Sequence, residues 1–122
     1  LNALFDTNIL IDFLKRVQAA KEELARYSPE EKSISLITWI EVMAGATAAT
    51  EAGTRALLDE FLVFSISEKI AERSAVIRRE RRVKLPDAII WATAEEHARM
   101  LVTRNTRDYP SDTIGVRIPY QI

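Results

Sequence analysis

The apolar positions of this chain fall into short blocks that switch between two periods. Leu1 to Phe5 is a short apolar run closed by Asp6, and beyond it Ile9, Leu10, Phe13, Leu14 and Val17 recur at helical spacing. This predicts a strand and then an amphipathic helix, with Thr7 in position to cap it. The spacing predicts a second helix over 21–27 ended by Ser28-Pro29, a strand over 33–37, helices over 38–46 and 54–62, and a third strand over 63–66. Ser67 offers an N-cap to a following helix with Glu68 in its first turn. In Leu85-Pro86-Asp87-Ala88-Ile89-Ile90-Trp91-Ala92-Thr93-Ala94 the pattern is apolar almost all round, and Pro86 suits a first helical position, so a helix buried against a sheet is predicted. Residues 100–103 form a buried strand in this scheme, 105–108 a turn and 115–118 a last strand. The stretch 44–53, rich in small residues, is expected to include a mobile loop. Strands alternating with helices of this length imply an α/β fold whose parallel sheet is covered on both faces.

Composition narrows the chemistry more than the fold. The 122 residues suit one domain over 1–122, and 48% hydrophobic with 29% charged residues fits a globular chain that neither spans a membrane nor stays disordered. The absence of cysteine excludes disulfide frameworks, zinc ribbons, iron–sulfur clusters and thiol catalysis. The single histidine, His97, falls late in a predicted helix, where a cation meeting the helix dipole explains it better than a catalytic base does. Gly45, Gly53 and Gly115 are too scattered for a phosphate-binding loop or a dinucleotide fingerprint. Oxygen remains, in 18 Asp and Glu residues, and it suits a hard cation. No signal peptide or basic presequence is visible, so a cytoplasmic protein is expected.

The net charge of −1 is an average over an uneven distribution. Between Lys69 and Lys84 lie Arg73, Arg78, Arg79, Arg81 and Arg82 against only Glu72 and Glu80. This segment is a candidate phosphate-facing patch, although cations gathered near a helix C-terminus have a purely structural reading too.

Four carboxylates occupy separate returns of the chain. Asp6 follows the first predicted strand, Glu41 comes just after the second, Asp87 opens the buried helix and Asp108 follows the strand at 100–103. Singly, each has a local explanation: a helix start, a capping box in Thr38-Trp39-Ile40-Glu41, a favourable helix dipole, a turn in Arg107-Asp108-Tyr109-Pro110. Jointly, Asp6, Glu41 and Asp108 can reach the carboxyl edge of a parallel sheet, where ligands bind, and Asp87 joins them if its helix starts there. Two carboxylates about 5 Å apart repel by roughly 3 kcal/mol at an effective dielectric near 20, so such a cluster calls for a cation or for protonation. All-oxygen ligands favour Mg²⁺ or Mn²⁺, and the chemistry served is phosphodiester hydrolysis, with a basic rim holding the rest of a polynucleotide.

In order and spacing, Leu4-Phe5-Asp6-Thr7-Asn8-Ile9-Leu10, Ile40-Glu41, the segment from Leu85 to Ala94, and Leu101-Val102-Thr103-Arg104-Asn105-Thr106-Arg107-Asp108-Tyr109 resemble the PIN-domain ribonucleases. The chain length is similar to that of the VapC-type toxins of toxin–antitoxin modules. The resemblance spans essentially the whole chain. It implies a three-layer α/β/α sandwich and a Mg²⁺-dependent endoribonuclease acting on RNA. Asp6 and Asp87 then resemble the principal metal ligands, with Glu41 and Asp108 completing the acidic site. Asn8 resembles the residue that fixes the first aspartate, and Thr103 the hydroxyl beside the site. Asn105 stands where many relatives carry a further acid, and its amide adds no negative charge. Arg78, Arg79, Arg81, Arg82 and Lys84 are the candidate RNA-binding residues. A homodimer and a cognate antitoxin that blocks the cleft are also implied, with helices over 7–27 and around 54–62 as contact surfaces.

A non-catalytic PIN-like RNA-binding or interaction module is the alternative from another class, and retention of all four acids argues against it. A response-regulator receiver would need paired acids after the first strand, where Phe5 precedes Asp6. A haloacid-type phosphatase would need an acid where Asn8 stands.

Overall fold

The computed structural model describes residues 1–109 and 115–122. Five parallel strands form its centre: β1 (Ala3–Phe5), β2 (Lys32–Ser35), β3 (Leu62–Phe64), β4 (Met100–Val102) and β5 (Val116–Arg117), arranged in the order β3-β2-β1-β4-β5. Helices α1 (Thr7–Leu14), α2 (Gln18–Leu24), α3 (Leu36–Ala44), α4 (Glu51–Leu58), α5 (Glu68–Arg81) and α6 (Leu85–Glu96) connect them. The register Ala3↔Met100, Leu4↔Leu101, Phe5↔Val102 aligns the ends of β1 and β4.

Side chains on successive strand residues point to opposite faces, and here both faces are apolar. Ala3, Phe5, Ile34 and Val102 pack with Ile9, Leu10, Leu24, Val42, Leu57 and Leu58 on one face. Leu4 and Leu101 pack with Ile70, Ile77, Ile90 and Trp91 of α5 and α6 on the other. The result is a three-layer α/β/α sandwich, as the alternating pattern implies. Complete burial of Trp91, Phe5, Leu4 and Ile90 stabilises each face by about 1.5–3 kcal/mol per side chain. Among the described residues, no helix is long and apolar enough to cross a membrane.

The structure corrects several local expectations. Asp6 is the N-cap of α1, its carboxylate accepting from Thr7 N at 2.7 Å, so Thr7 is inside the helix and its hydroxyl is free for other work. Ser35 ends β2 and caps α3, its Oγ accepting from Ile37 N at 3.2 Å. Ile37 is therefore helical rather than extended, and Thr38 and Glu41 lie within α3 instead of forming a capping box at its start. Helix α4 begins and ends earlier than expected, releasing Leu62 to β3. Within 44–53, the approach to α4 is a turn tied by Thr47 N to Thr50 Oγ1 at 2.8 Å. Ser67 does cap α5, accepting from Ile70 N at 3.2 Å. His97 ends α6 and stacks on Phe64 with ring centroids 3.7 Å apart. Pro110, in the turn motif with Asp108, lies outside the described residues.

Candidate active site

In this parallel sheet the strand order reverses between neighbouring β1 and β4, and such a switch point places a crevice beyond their carboxyl ends. Asp6 sits there. Its backbone N donates to Val102 O at 2.9 Å, which anchors it to the neighbouring strand, and its side chain is almost fully buried. One carboxylate oxygen accepts from Thr7 N, and the other from Thr103 Oγ1 at 2.7 Å and Asn8 Nδ2 at 3.2 Å. Asn8 Oδ1 in turn accepts from Arg104 N at 3.2 Å. Neutral donors thus orient Asp6 from the ends of both strands.

A cavity of about 310 Å³ opens at this point, lined by Asp6, Asn8, Glu41, Asp87, Asn105 and, from α1 and the end of β4, Thr7, Ile11, Asp12, Lys15 and Arg104. Glu41 arrives on the second turn of α3, and its Oε1 accepts from Thr7 Oγ1 at 2.7 Å, with Thr38 Oγ1 3.0 Å from the same hydroxyl. Asp87 stands in the first turn of α6, after Pro86, and its Oδ1 accepts from Tyr109 OH at 3.2 Å. Three of the four predicted acids, from three separate elements, therefore share one cavity. Asp108 does not line it; Asn105 Nδ2 holds Asp108 Oδ2 at 2.9 Å beside the margin. Thr103 is fully buried behind Asp6 and does not line the cavity either.

Electrostatics mark this group off from ordinary surface acids. Burial pushes the Asp6 carboxyl up to about 6, and the charges of Asp87 and Glu41 add to that against the lowering hydrogen bonds from Thr103 and Thr7. Asp87 is raised as well, by burial first and by the charges of Asp108 and Glu41, with Tyr109 and Lys84 acting the other way. Tyr109 OH is raised far above the usual phenol range by burial and by the surrounding carboxylates, so it remains a donor. Perturbed acids converging on a cleft are a signature of functional sites. Among the described residues, no three acidic or histidine side chains are gathered tightly enough to hold a metal ion unaided. The donor set nevertheless fits a hard cation: every group is oxygen, and Asp6 Oδ1 accepts only one bond while facing the charges of two further acids.

The basic segment divides in two. Lys69 and Arg73 pair with Glu96 and Glu95 on α6 and belong to the packing of two helices. Arg78, Arg79 and Arg81 are exposed in the last turn of α5, Arg82 is its left-handed cap at φ 57°, and Lys84 precedes α6. Among the described residues, none of these five takes an ion pair. Arg81 lies over the Trp91 ring at 5.5 Å. Lys84 is close enough to Asp87 to lower its pKa, so the basic segment runs up to the acidic cavity.

Thr7, Asp12, Arg104 and Tyr109 are site residues that sequence reasoning does not single out. A helical spacing from Asn8 through Ile11 and Asp12 to Lys15 was the available signal for the α1 wall.

A sheet of this order with an acidic cavity at its switch point defines an α/β protein that gathers carboxylates at the carboxyl edge of its sheet. The sequence profile of the PIN domain matches residues 3–110, and the chain belongs to the PIN domain family. A chain in a toxin–antitoxin complex from Klebsiella pneumoniae is 50% identical, with a TM-score of 0.90 over 99% of this chain and 100% of that one. FitAcB from Neisseria gonorrhoeae (21% identity, TM-score 0.80, 98% and 99% covered) and DNA-bound VapBC from Salmonella typhimurium (22%, 0.80, 96% and 97%) share the fold. No curated protein matches the sequence.

Proposed function

We propose that this protein is a Mg²⁺-dependent endoribonuclease and the toxin of a toxin–antitoxin module. The observation that carries the reading is the convergence of Asp6, Glu41 and Asp87 from three elements on one cavity, where Asp6 is buried among like charges. Among the described residues, no cation pairs with Asp6, Glu41 or Asp87, and such a trio is complementary to a divalent ion and a phosphodiester together.

Asp6 and Asp87 would hold the ion, with Glu41 and Asp108 completing the acidic site directly or through water, and Mn²⁺ could substitute. When bound, the ion supplies activation of water and neutralisation of charge on the phosphoryl oxygens. The chain does the rest. Thr103 and Asn8 orient Asp6, Thr7 orients Glu41, and Tyr109 holds Asp87. Asn105 holds Asp108. Arg78, Arg79, Arg81, Arg82 and Lys84 bind flanking phosphates of the RNA.

The toxin reading draws support from the 50% identical chain in a toxin–antitoxin complex. A cognate antitoxin, a homodimer, a cytoplasmic site of action and a single nuclease domain over 1–122 are parts of the same proposal. Incubation of the purified protein, freed of antitoxin, with total RNA and Mg²⁺ tests it beside Asp6→Asn and Asp87→Asn. Cleavage by the wild type alone is expected. Equal cleavage by both variants would sink the assignment, and RNA affinity without cleavage by the wild type would favour a binding module.

A further inference from the structure

The acidic cavity has two cations in its wall that the basic rim does not include, Lys15 and Arg104, and among the described residues only the Arg104 side chain is held in place by hydrogen bonds. Arg104 follows Thr103 at the end of β4, and its side chain lines the cavity with about a third of its surface exposed. Its guanidinium is held from behind. Nε and Nη2 both donate to Asp12, the latter at 3.1 Å, and Tyr120 OH donates to Asp12 Oδ2 at 2.8 Å. Asp12 is only 4% exposed, so this carboxylate is committed to the clasp rather than to solvent. Among the described residues, Nη1 takes no hydrogen bond.

A bidentate fork fixes the plane of a guanidinium and removes the rotamer freedom that a ligand would otherwise have to freeze. A countercharge for Asp12 alone would not need to line the cavity. A cavity walled by acids also repels a polyanion except where a cation stands ready, and a pre-oriented arginine is the side chain that matches phosphate oxygens. We propose that Arg104 is a substrate-binding residue that grips an RNA phosphate next to the acids, and that Asp12 and Tyr120 are its positioning residues. The inference rests on the nuclease reading above and deepens it.

The test combines steady-state cleavage of an RNA substrate with Mg²⁺, binding of the same RNA across a salt series in the Asp87→Asn background, and thermal melts. Arg104→Gln is expected to raise KM by about tenfold or more with a smaller effect on kcat, the scale of one charge-assisted contact, and to lower the salt slope by about one. Arg104→Lys keeps the charge and loses the fork, so the slope returns while KM remains raised. Tyr120→Phe gives a smaller rise in KM with the slope unchanged. Wild-type KM and slope in Arg104→Gln, with only the melting temperature lowered, would make Arg104 a structural residue and overturn the inference while leaving the nuclease reading intact. Should Arg104→Gln fail to fold, an unchanged KM in Arg104→Lys overturns it alone. A wild type that neither cleaves nor binds RNA overturns the nuclease reading and this inference with it.

Discussion

Glu23 and Asp6 are buried to nearly the same degree, 4% and 3% exposed, and their surroundings are opposite. Glu23, on α2, accepts from Arg117 Nε and Nη2 at 2.7 and 2.8 Å and from Tyr27 OH at 2.8 Å. Burial alone would raise its pKa, but the bonds from Arg117 and Tyr27 and the charges of Arg117 and Arg26 outweigh it, leaving the carboxyl below its ordinary value. Asp6 receives only neutral donors and then faces Asp87 and Glu41, so its pKa rises to about 6. One acid is completed by the fold, joining α2 to β5. The other is left short of positive charge, a cost that folding alone does not explain and a bound cation would remove.

Experiments can break or sharpen that contrast. The largest effect belongs to chemistry: Asp6→Asn or Asp87→Asn should reduce Mg²⁺-dependent RNA cleavage by at least about a hundredfold, measured as kcat/KM, whereas Glu22→Gln, outside both networks, should not. Next comes Arg117→Met, which strips Glu23 of its two arginine bonds and should destabilise the protein by about 3 kcal/mol in urea melts. A fall well under 1 kcal/mol would mean that the pair contributes little.

The sign reverses at the cavity. The raised pKa of Asp6 contributes stability below about pH 4, relative to its ordinary value of 3.8, and that stability is lost as pH rises through about 6. The metal-free protein should therefore lose up to about 3 kcal/mol between those values on account of Asp6, and Asp6→Asn should remove that share of the decline, leaving the part due to Asp87, and stabilise it at pH 7. Glu23 tilts the curve the other way: its lowered pKa contributes stability above the ordinary glutamate value, lost as pH falls through the folded one. Melting curves from pH 4 to 7.5 that tilt alike in wild type and Asp6→Asn would contradict the frustrated-charge account.

Smaller still, Mg²⁺ should raise the melting temperature by a few degrees at pH 7.5, less at pH 5, and not in Asp6→Asn, because protons and metal compete for the same oxygens. Replacing Arg78, Arg79, Arg81 and Arg82 by Ala should weaken RNA binding and flatten its salt dependence, with little change in stability, since none of them holds a described ion pair.

Much of the fold is legible in the chain because burial on both faces leaves apolar runs that polar turns interrupt. Leu4 between Ala3 and Phe5 belongs to a different core from its neighbours, yet the run reads as a strand whichever face each residue takes. Boundaries are less legible. Thr7 and Thr38 are good caps by residue type, but where the chain leaves the sheet decides the matter, and Asp6 and Ser35 stand at those points. Asp6, Glu41 and Asp87 are visible as acids following predicted strands or opening a helix, since topology alone brings such positions to one edge. Asp12, Arg104 and Tyr120 are not, because the clasp joins residues 92 and 108 positions apart and no local pattern marks either partner.

The sequence by itself determined the sheet-and-helix alternation, the hard-oxygen character of any ligand site and the segregation of arginines near the end of α5, because these follow from residue type and short-range spacing. Tertiary structure alone decided which acids meet, which arginines are consumed by packing, and that two equally buried carboxylates differ in charge balance. Those outcomes depend on distances of a few ångströms between segments remote in the chain, and electrostatic energies at that range vary too steeply for residue order to specify them.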